Sequence, residues 1–340
     1  MFDPYDSPTV NWLPRTLRKV YAPRGLFYAY APSAVLDGSV ERYWLCQNAK
    51  ESVIKDSIFY VERVQGKITA TRPVLHPGPA GAWDSFHVCD PSVVAGRFRL
   101  RGKTYRYALF YLGNDVDASY HNQIGVAFSN ELSASSWVRY PGPIVPYPNN
   151  GHWGVGQPSV TSIDGKGRLL LFYTRGAADS TGGYSCEIDL TDMDRPIVES
   201  SVPLTNAGLT DVNGNADSLN NFDLVHDPSR NRFIIVREQH PYPRDNPSYI
   251  GVSLQVASIP AAVVRSGGGR WTVEGEIGPE LTKLARSHNA GILRTLRGTL
   301  PDKKIIRVLF ASSCAGSACE GRAEWTYDLW EITGSLTNKK

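Results

Sequence analysis

The chain has 340 residues, 41% of them hydrophobic and 20% charged, a balance that supports a sizeable buried core and excludes the high-charge, low-hydrophobicity composition of disorder. Thirty-six Lys and Arg against 33 Asp and Glu leave a net charge of +3 without a basic run, so no nucleic-acid footprint is visible. No apolar run approaches the roughly 18 residues of a membrane span, and no membrane partner is expected.

In chain order, residues 1–24 read as an N-terminal leader packing on the ring that follows, and 25–340 as a single domain. Five similar segments then occur, at 31–46, 90–113, 157–174, 222–238 and 288–313. Each opens on a small polar block, enters an apolar strand, turns at Gly, Asp or Asn, and returns through a strand rich in Tyr, Phe, Leu or Ile. Their openings at Ala31, Asp90, Gln157, Phe222 and His288 are spaced by 59, 67, 65 and 66 residues. Strand-like pieces at 56–64, 122–130, 184–190 and 248–259 supply a third strand, and 137–145 and 270–277 a fourth. Residues 259–268 suit one short helix or an outer-strand connection, and 325–334 read as the strand closing the last blade. Four strands repeated five times predict an all-β fold, a five-bladed β-propeller. A pair of β-sandwiches would not produce five similarly spaced openings.

Among five cysteines, Cys314 and Cys319 share a Gly/Ser/Ala loop, where a small disulfide and two free thiols are equally compatible with the spacing. Cys46, Cys89 and Cys186 lie in strand-like or loop contexts and are expected to be packing residues. Two Met, 31 Gly and abundant Tyr, Trp, Asn and Ser fit a secreted β-protein. The opening MFDPYDSPTV lacks a signal-peptide pattern, but a removed signal would leave no trace. The expected location is therefore secreted or periplasmic, and the expected state monomeric.

In a propeller the first strand of each blade lines the axis, so its start and the end of the second strand converge on one face. That geometry brings together Asp90, Gln157, Asn221, Asp223, His288 and Asn289, with Arg175 and Glu238 from second-strand ends. Trp83, Asp84, His87, Trp153 and Arg286 join from preceding loops. Carboxylates, amides and indoles around one concavity suit a sugar: the polar groups meet hydroxyls and the rings cover the apolar face of the ring. An oligo- or polysaccharide is the expected partner.

Three strings carry a resemblance: Asp90-Pro91-Ser92-Val93, the run Ile124-Gly125-Val126-Ala127-Phe128-Ser129 followed by Trp137, and Ser287-His288-Asn289-Ala290-Gly291. Together they resemble the five-bladed furanosidase superfamily of glycoside hydrolases, nearest to family 43, the arabinanases and β-xylosidases. The likeness covers the blade skeleton from about Arg24 to Ile332. It implies hydrolysis of arabinose-, xylose- or related furanose-containing glycans, with inversion. By position, Asp90 matches a residue that tunes the acid and orients the sugar, and His288 one that helps hold a central ion or water. The departures are equally plain. Ala31 stands where the family places its catalytic-base Asp, Gln157 stands where invertase-like relatives carry an acid, and no Glu-Gly-Pro-type acid motif is evident.

Glycoside hydrolysis needs one carboxylic acid and one carboxylate on opposite sides of the bond. The candidates are Asp84, Asp90, Asp223 and Glu238. Glu238 ends an apolar strand, where desolvation is expected to raise its pKa and make it the acid, with Arg237 on the opposite strand face. Asp90 or Asp84 is the expected base. Each also has a plain structural reading, as a turn residue or ion-pair partner. Trp83 and Trp153 are candidate sugar platforms, with blade packing as the equal alternative; His87, Gln157, Asn221, Arg175, Arg286 and Asn289 are candidate substrate contacts. His288 is expected to point into the axis beside Asn289 and meet a water or a cation. No cofactor is required, although a structural calcium at the axis is the cation expected if oxygen ligands join it. Two other classes stay open: a phosphorylase or transferase, with Arg24, Arg175 and Arg286 holding phosphate, and a non-catalytic carbohydrate-binding propeller.

Overall fold

In the computed structural model, which describes residues 8–23, 28–48, 54–116, 120–177, 181–319, 321 and 326–338, the strands form five antiparallel sheets arranged as a propeller. Blade one is Ala29–Asp37, Val40–Gln47, Ser57–Val64 and Lys67–Leu75. Blade two is His87–Leu100, Lys103–Asn114, Gln123–Ser129 and Val138–Arg139. Blade three is Val155–Ser162, Arg168–Gly176 and Thr181–Asp189, its outer edge divided between Ile197–Val198 and Val202–Pro203. Blade four is Phe222–Asp227, Arg232–Glu238, Leu254–Pro260 and Thr272–Ile277.

Blade five is His288–Ile292, Ile305–Ser312 and Asp328–Asn338, and it differs from expectation at its edge. The C-terminal strand is third rather than outermost. The outermost is Pro8–Trp12, paired from Pro8 opposite Asn338 to Trp12 opposite Gly334. The first strand of the chain thus bonds to the last, closing the ring with backbone hydrogen bonds across both ends of the sequence. The expected short helix is Ala261–Val264. Among the described residues no helix is long and apolar enough to cross a membrane.

The strand period of two builds the core. In the second strand of blade three, Leu169, Leu171 and Tyr173 pack towards Phe110 and Phe128 of blade two, whereas Leu170 and Phe172 pack towards Leu224, Phe233 and Ile235 of blade four. Blade four repeats the pattern, with Ile234 and Val236 facing Val308 and Phe310 of blade five. A run of consecutive apolar residues is therefore what a strand between two neighbours requires.

At the axis, Ala31, Asp90, Gln157, Asn221 and Asn289 take left-handed φ values of 50°, 47°, 51°, 41° and 40°. In four blades the ladder register shifts at this point. The kink aims the residue after next at the following blade. Ser33 Oγ accepts the Val93 N–H at 3.2 Å, Ser92 Oγ that of Val160 at 3.1 Å, and Ser159 Oγ that of Leu224 at 3.1 Å. Asp223 Oδ2 accepts the Ile292 N–H at 2.8 Å in the same way. At the fifth junction stands Gly291, where a Cβ would lie 2.1 Å from the Pro32 carbonyl oxygen. The Ala-Pro-Ser, Asp-Pro-Ser and Gln-Pro-Ser repeats are thus the joints of the ring.

Two disulfides are present. Cys314–Cys319 closes its short loop. Cys46–Cys89, expected to be packing residues, instead join blade one to blade two beside Asp90, whose N–H lies 3.0 Å from Cys46 Sγ. Forty-three residues of sequence separate the two thiols, but the ring brings the end of one second strand against the start of the next inner strand. Cys186 is a buried free thiol.

Candidate active site

The mouth of the propeller is built around His288. Its Nδ1 lies 2.7 Å from Glu238 Oε1, and its ring stacks near Tyr30 at 6.4 Å between centroids and against Tyr327 at 5.7 Å. His288 is therefore turned towards blades one and four and not, as expected, into the axis. Asn289 lines the axial cavity instead, because it is Asn289 that carries the left-handed kink.

Glu238 is fully buried at the end of the second strand of blade four. Oε1 also accepts the Asn289 N–H at 2.8 Å, and Oε2 accepts the Tyr242 hydroxyl at 3.0 Å. Burial alone would push its carboxyl up, but the neighbouring His288, the Asn289 N–H and the Asn221 side chain outweigh it and hold Glu238 below the ordinary glutamate range. The raised pKa expected from its apolar strand is thus not found: the strand ends among donors. Arg237 does point to the opposite strand face, bonded to Asp217, Gln255 and the Thr210 carbonyl.

Asp90 behaves oppositely. Half-buried at the mouth, with Oδ2 accepting the Gln157 N–H at 3.2 Å, its carboxyl is pushed up to about 6. Desolvation is the main cause; the Gln157 N–H and His288 pull it down, and the Asp56 carboxyl pushes it up again. Two carboxyls that both feel the same imidazole are driven apart in acidity, the arrangement that divides proton donor from anion.

Asp56, at the entry to the third strand of blade one, escaped the sequence reading. It is fully buried, accepts the hydroxyls of Tyr28 and of Tyr30 (2.6 Å), and its backbone N–H donates to His87 Nδ1 at 3.1 Å. Burial raises its carboxyl, with His87 and the two tyrosines opposing. This group brings a carboxyl to the blade-one side of the mouth, where Ala31 offers none. Its only sequence signal is an acid one residue before a strand.

The other expected residues divide. Asp223 is committed to the ring joint and to a buried ion pair with Arg294. Asp84 is buried and spans Tyr111 Oη and Arg139 Nε, each at 2.9 Å, within blade two. Trp83 stacks on Tyr111 and covers Gly113 and Gly125, so its role is blade packing. Trp153 reaches the mouth: a Cβ on Gly176 would lie 2.5 Å from its indole, and one on Gly156 would touch both the indole and Asp90 Oδ2. Gln157 lines the axial cavity while its Oε1 accepts the Thr174 hydroxyl at 2.8 Å. Arg175 packs over the Tyr184 ring, and Arg286 pairs with Asp245 at 2.9 Å. Arg24 lies outside the described residues.

The axial cavity, about 40 Å³, has room for a water or an ion. Its residues do not fit calcium. The buried Arg294 guanidinium lines the same space, already neutralising Asp223, and its Nε has no protein partner there. A dication would face that fixed positive charge. Chelator treatment is expected to leave the melting temperature within about 1 °C of its starting value; a fall of several degrees reversed by calcium would contradict this, and differential scanning fluorimetry reads it.

The sequence matches no protein-family model and no curated protein. Its fold is nevertheless that of solved structures. An α-L-arabinofuranosidase from Podospora anserina, in complex with cellotriose, is 12% identical with a TM-score of 0.61, over 97% of this chain and 98% of that one. A family 117 glycoside hydrolase from the marine bacterium Zobellia galactanivorans is 9% identical with a TM-score of 0.63, over 98% and 92%. A GH43_1 enzyme from Xanthomonas citri, complexed with xylose, is 14% identical with a TM-score of 0.57, over 95% and 91%. The expected five-bladed propeller is shown, at an identity low enough to call the chain divergent.

Proposed function

We propose that the protein is a glycoside hydrolase acting on arabinose-, xylose- or related furanose-containing glycans. The observation that carries this reading is the opposed acidity of Asp90 and Glu238 at the mouth, both under the influence of His288. The likeness in fold to arabinofuranosidase and family 117 and 43 structures supports it. The two disulfides fit an oxidising, extracytoplasmic compartment.

In this reading Asp90 takes the acid role expected of Glu238. Asp90, protonated below about pH 6, donates to the glycosidic oxygen as its bond to the anomeric carbon breaks. Water held by the His288–Glu238 pair, 2.7 Å apart, attacks that carbon and releases its proton to solvent. Glu238, whose oxygens are already engaged, acts as a positioning residue. One displacement by water inverts the anomeric centre. Trp153, beside Asp90, offers a face to the sugar.

The donor must hold its proton, so kcat/KM is expected to fall as pH rises through about 6, approaching a tenfold loss per further unit. A pH profile flat between 5 and 8 would contradict the assignment.

Purified protein tested on arabinans, xylans and arabinogalactans, with and without phosphate, checks the reading. New reducing ends without phosphate support it. Strictly phosphate-dependent products would favour a phosphorylase, for which Arg175 and Arg286 supply little, each being engaged elsewhere. Binding without turnover would favour a lectin-like role.

A further inference from the structure

The rim between blades two and three carries aromatic side chains that neither the core nor the proton-transfer groups use. A parallel bridge joins Asn122 to Gly154, with the Asn122 N–H donating to the Trp153 carbonyl at 3.1 Å and the Val155 N–H to the Asn122 carbonyl at 3.0 Å. This bridge brings two mouth-side segments together. On them, Tyr120, His121 and Tyr147 form a closed triangle with ring centroids 5.1, 5.8 and 4.9 Å apart. All three are half-exposed, and none joins the apolar clusters between blades.

The triangle is held in place. The Tyr147 N–H donates to Gln123 Oε1 at 3.1 Å, and its hydroxyl donates to the carbonyl of His152, the residue before Trp153, at 3.0 Å. His121 keeps a left-handed φ of 56°, a conformation that costs a non-glycine residue energy. Trp153, the next residue after His152, packs over Gly156 and Gly176 towards Asp90. The triangle is thus tied by the Tyr147 hydroxyl to the segment that reaches the proton donor.

We infer that the Tyr120–His121–Tyr147 triangle is an outer sugar-binding subsite, taking a residue of the same glycan at a distance from the cleaved bond. The substrate is accordingly an extended oligo- or polysaccharide chain and not a disaccharide. Flat, half-exposed rings suit the apolar face of a sugar, and a rigid platform loses little conformational entropy on binding. The proposal rests on the glycosidase reading for the identity of the ligand, and its test separates the two.

The experiment is calorimetric titration of arabino- and xylo-oligosaccharide ladders of two to six residues into the Asp90→Asn protein, with and without Tyr147→Ala. The parent is expected to gain about tenfold in affinity along one ladder, and Tyr147→Ala to abolish that gain, while Tyr147→Phe, which keeps the ring, restores it. Turnover by the wild-type chain is measured on the same ladders. If affinity rises with length equally in parent and Tyr147→Ala, the subsite is overturned while a positive turnover assay leaves the hydrolase reading standing. If the length dependence vanishes with Tyr147 but no ladder is turned over, the subsite stands and the hydrolase reading fails. A parent that binds neither ladder overturns both.

Discussion

Replacing Asp90 by Asn is expected to lower kcat on natural glycans by about 100- to 10,000-fold, the usual worth of a general acid, with the melting temperature shifted by no more than about 2 °C. Position 90 has a φ of 47°, and Asn is among the few residues that accept the left-handed region readily. The amide oxygen can still accept the Gln157 N–H that Asp90 Oδ2 accepts now. Only the transferable proton is removed. A substrate whose leaving group needs no protonation, such as a nitrophenyl glycoside, should therefore lose much less than the natural glycan. Steady-state kinetics on the two substrate types makes the check. Equal losses on both, or wild-type turnover on the natural glycan, would remove Asp90 from the donor role.

Asp223→Ala should have the largest effect on stability, about 3–5 kcal/mol, equivalent to roughly 4–7 °C in melting temperature. Removing this carboxylate strands the Arg294 guanidinium, which is 1% exposed, and leaves the Ile292 N–H at the joint of blades four and five without its acceptor. Blades one to three make the equivalent joint with serine, which suggests the repair. Asp223→Ser combined with Arg294→Met should recover most of the loss, because the double change keeps the joint and removes the charge left behind. Thermal denaturation of the two variants beside the wild-type chain tests this. A stable but inactive Asp223→Ala protein would instead return Asp223 to the catalytic carboxylates.

The blade skeleton was legible because its cause is local and repeated. Ala31-Pro32-Ser33, Asp90-Pro91-Ser92 and Gln157-Pro158-Ser159 each encode a kink and an inter-blade hydrogen bond, and the apolar strands that follow face two neighbours at once. Blade five's edge was not legible. Pairing Pro8–Trp12 with Gly334–Asn338 depends on where the ring brings the chain ends, and no local pattern records that. The Cys46–Cys89 bridge was missed for the same reason.

At the site, sequence located the mouth and its principal carboxyls but not their acidity. An apolar strand before Glu238 argues for desolvation, and Glu238 is indeed buried; what decides its acidity is the imidazole and the Asn289 N–H from the next blade. Asp90 shows the converse, since its hydrogen bonds are too few to offset burial. Asp56 has no motif, and only its tyrosine partners Tyr28 and Tyr30, distant in sequence, mark it. Asp84 and Asp223 stand beside Asp90 among the candidate carboxyls in sequence, and their ion pairs with Arg139 and Arg294 commit them to other partners only after folding.

The most direct test needs no substrate. Carboxyl carbons of Asp and Glu labelled with carbon-13 can be titrated by NMR, with Asp90→Asn and Glu238→Gln supplying the assignments. Asp90 is expected to titrate near 6 and Glu238 below the ordinary glutamate value, so that one is protonated while the other is ionised across mildly acidic pH. If Asp90 titrates near 4, or if Glu238 keeps its proton to higher pH than Asp90, the division of donor and anion proposed for this mouth is wrong.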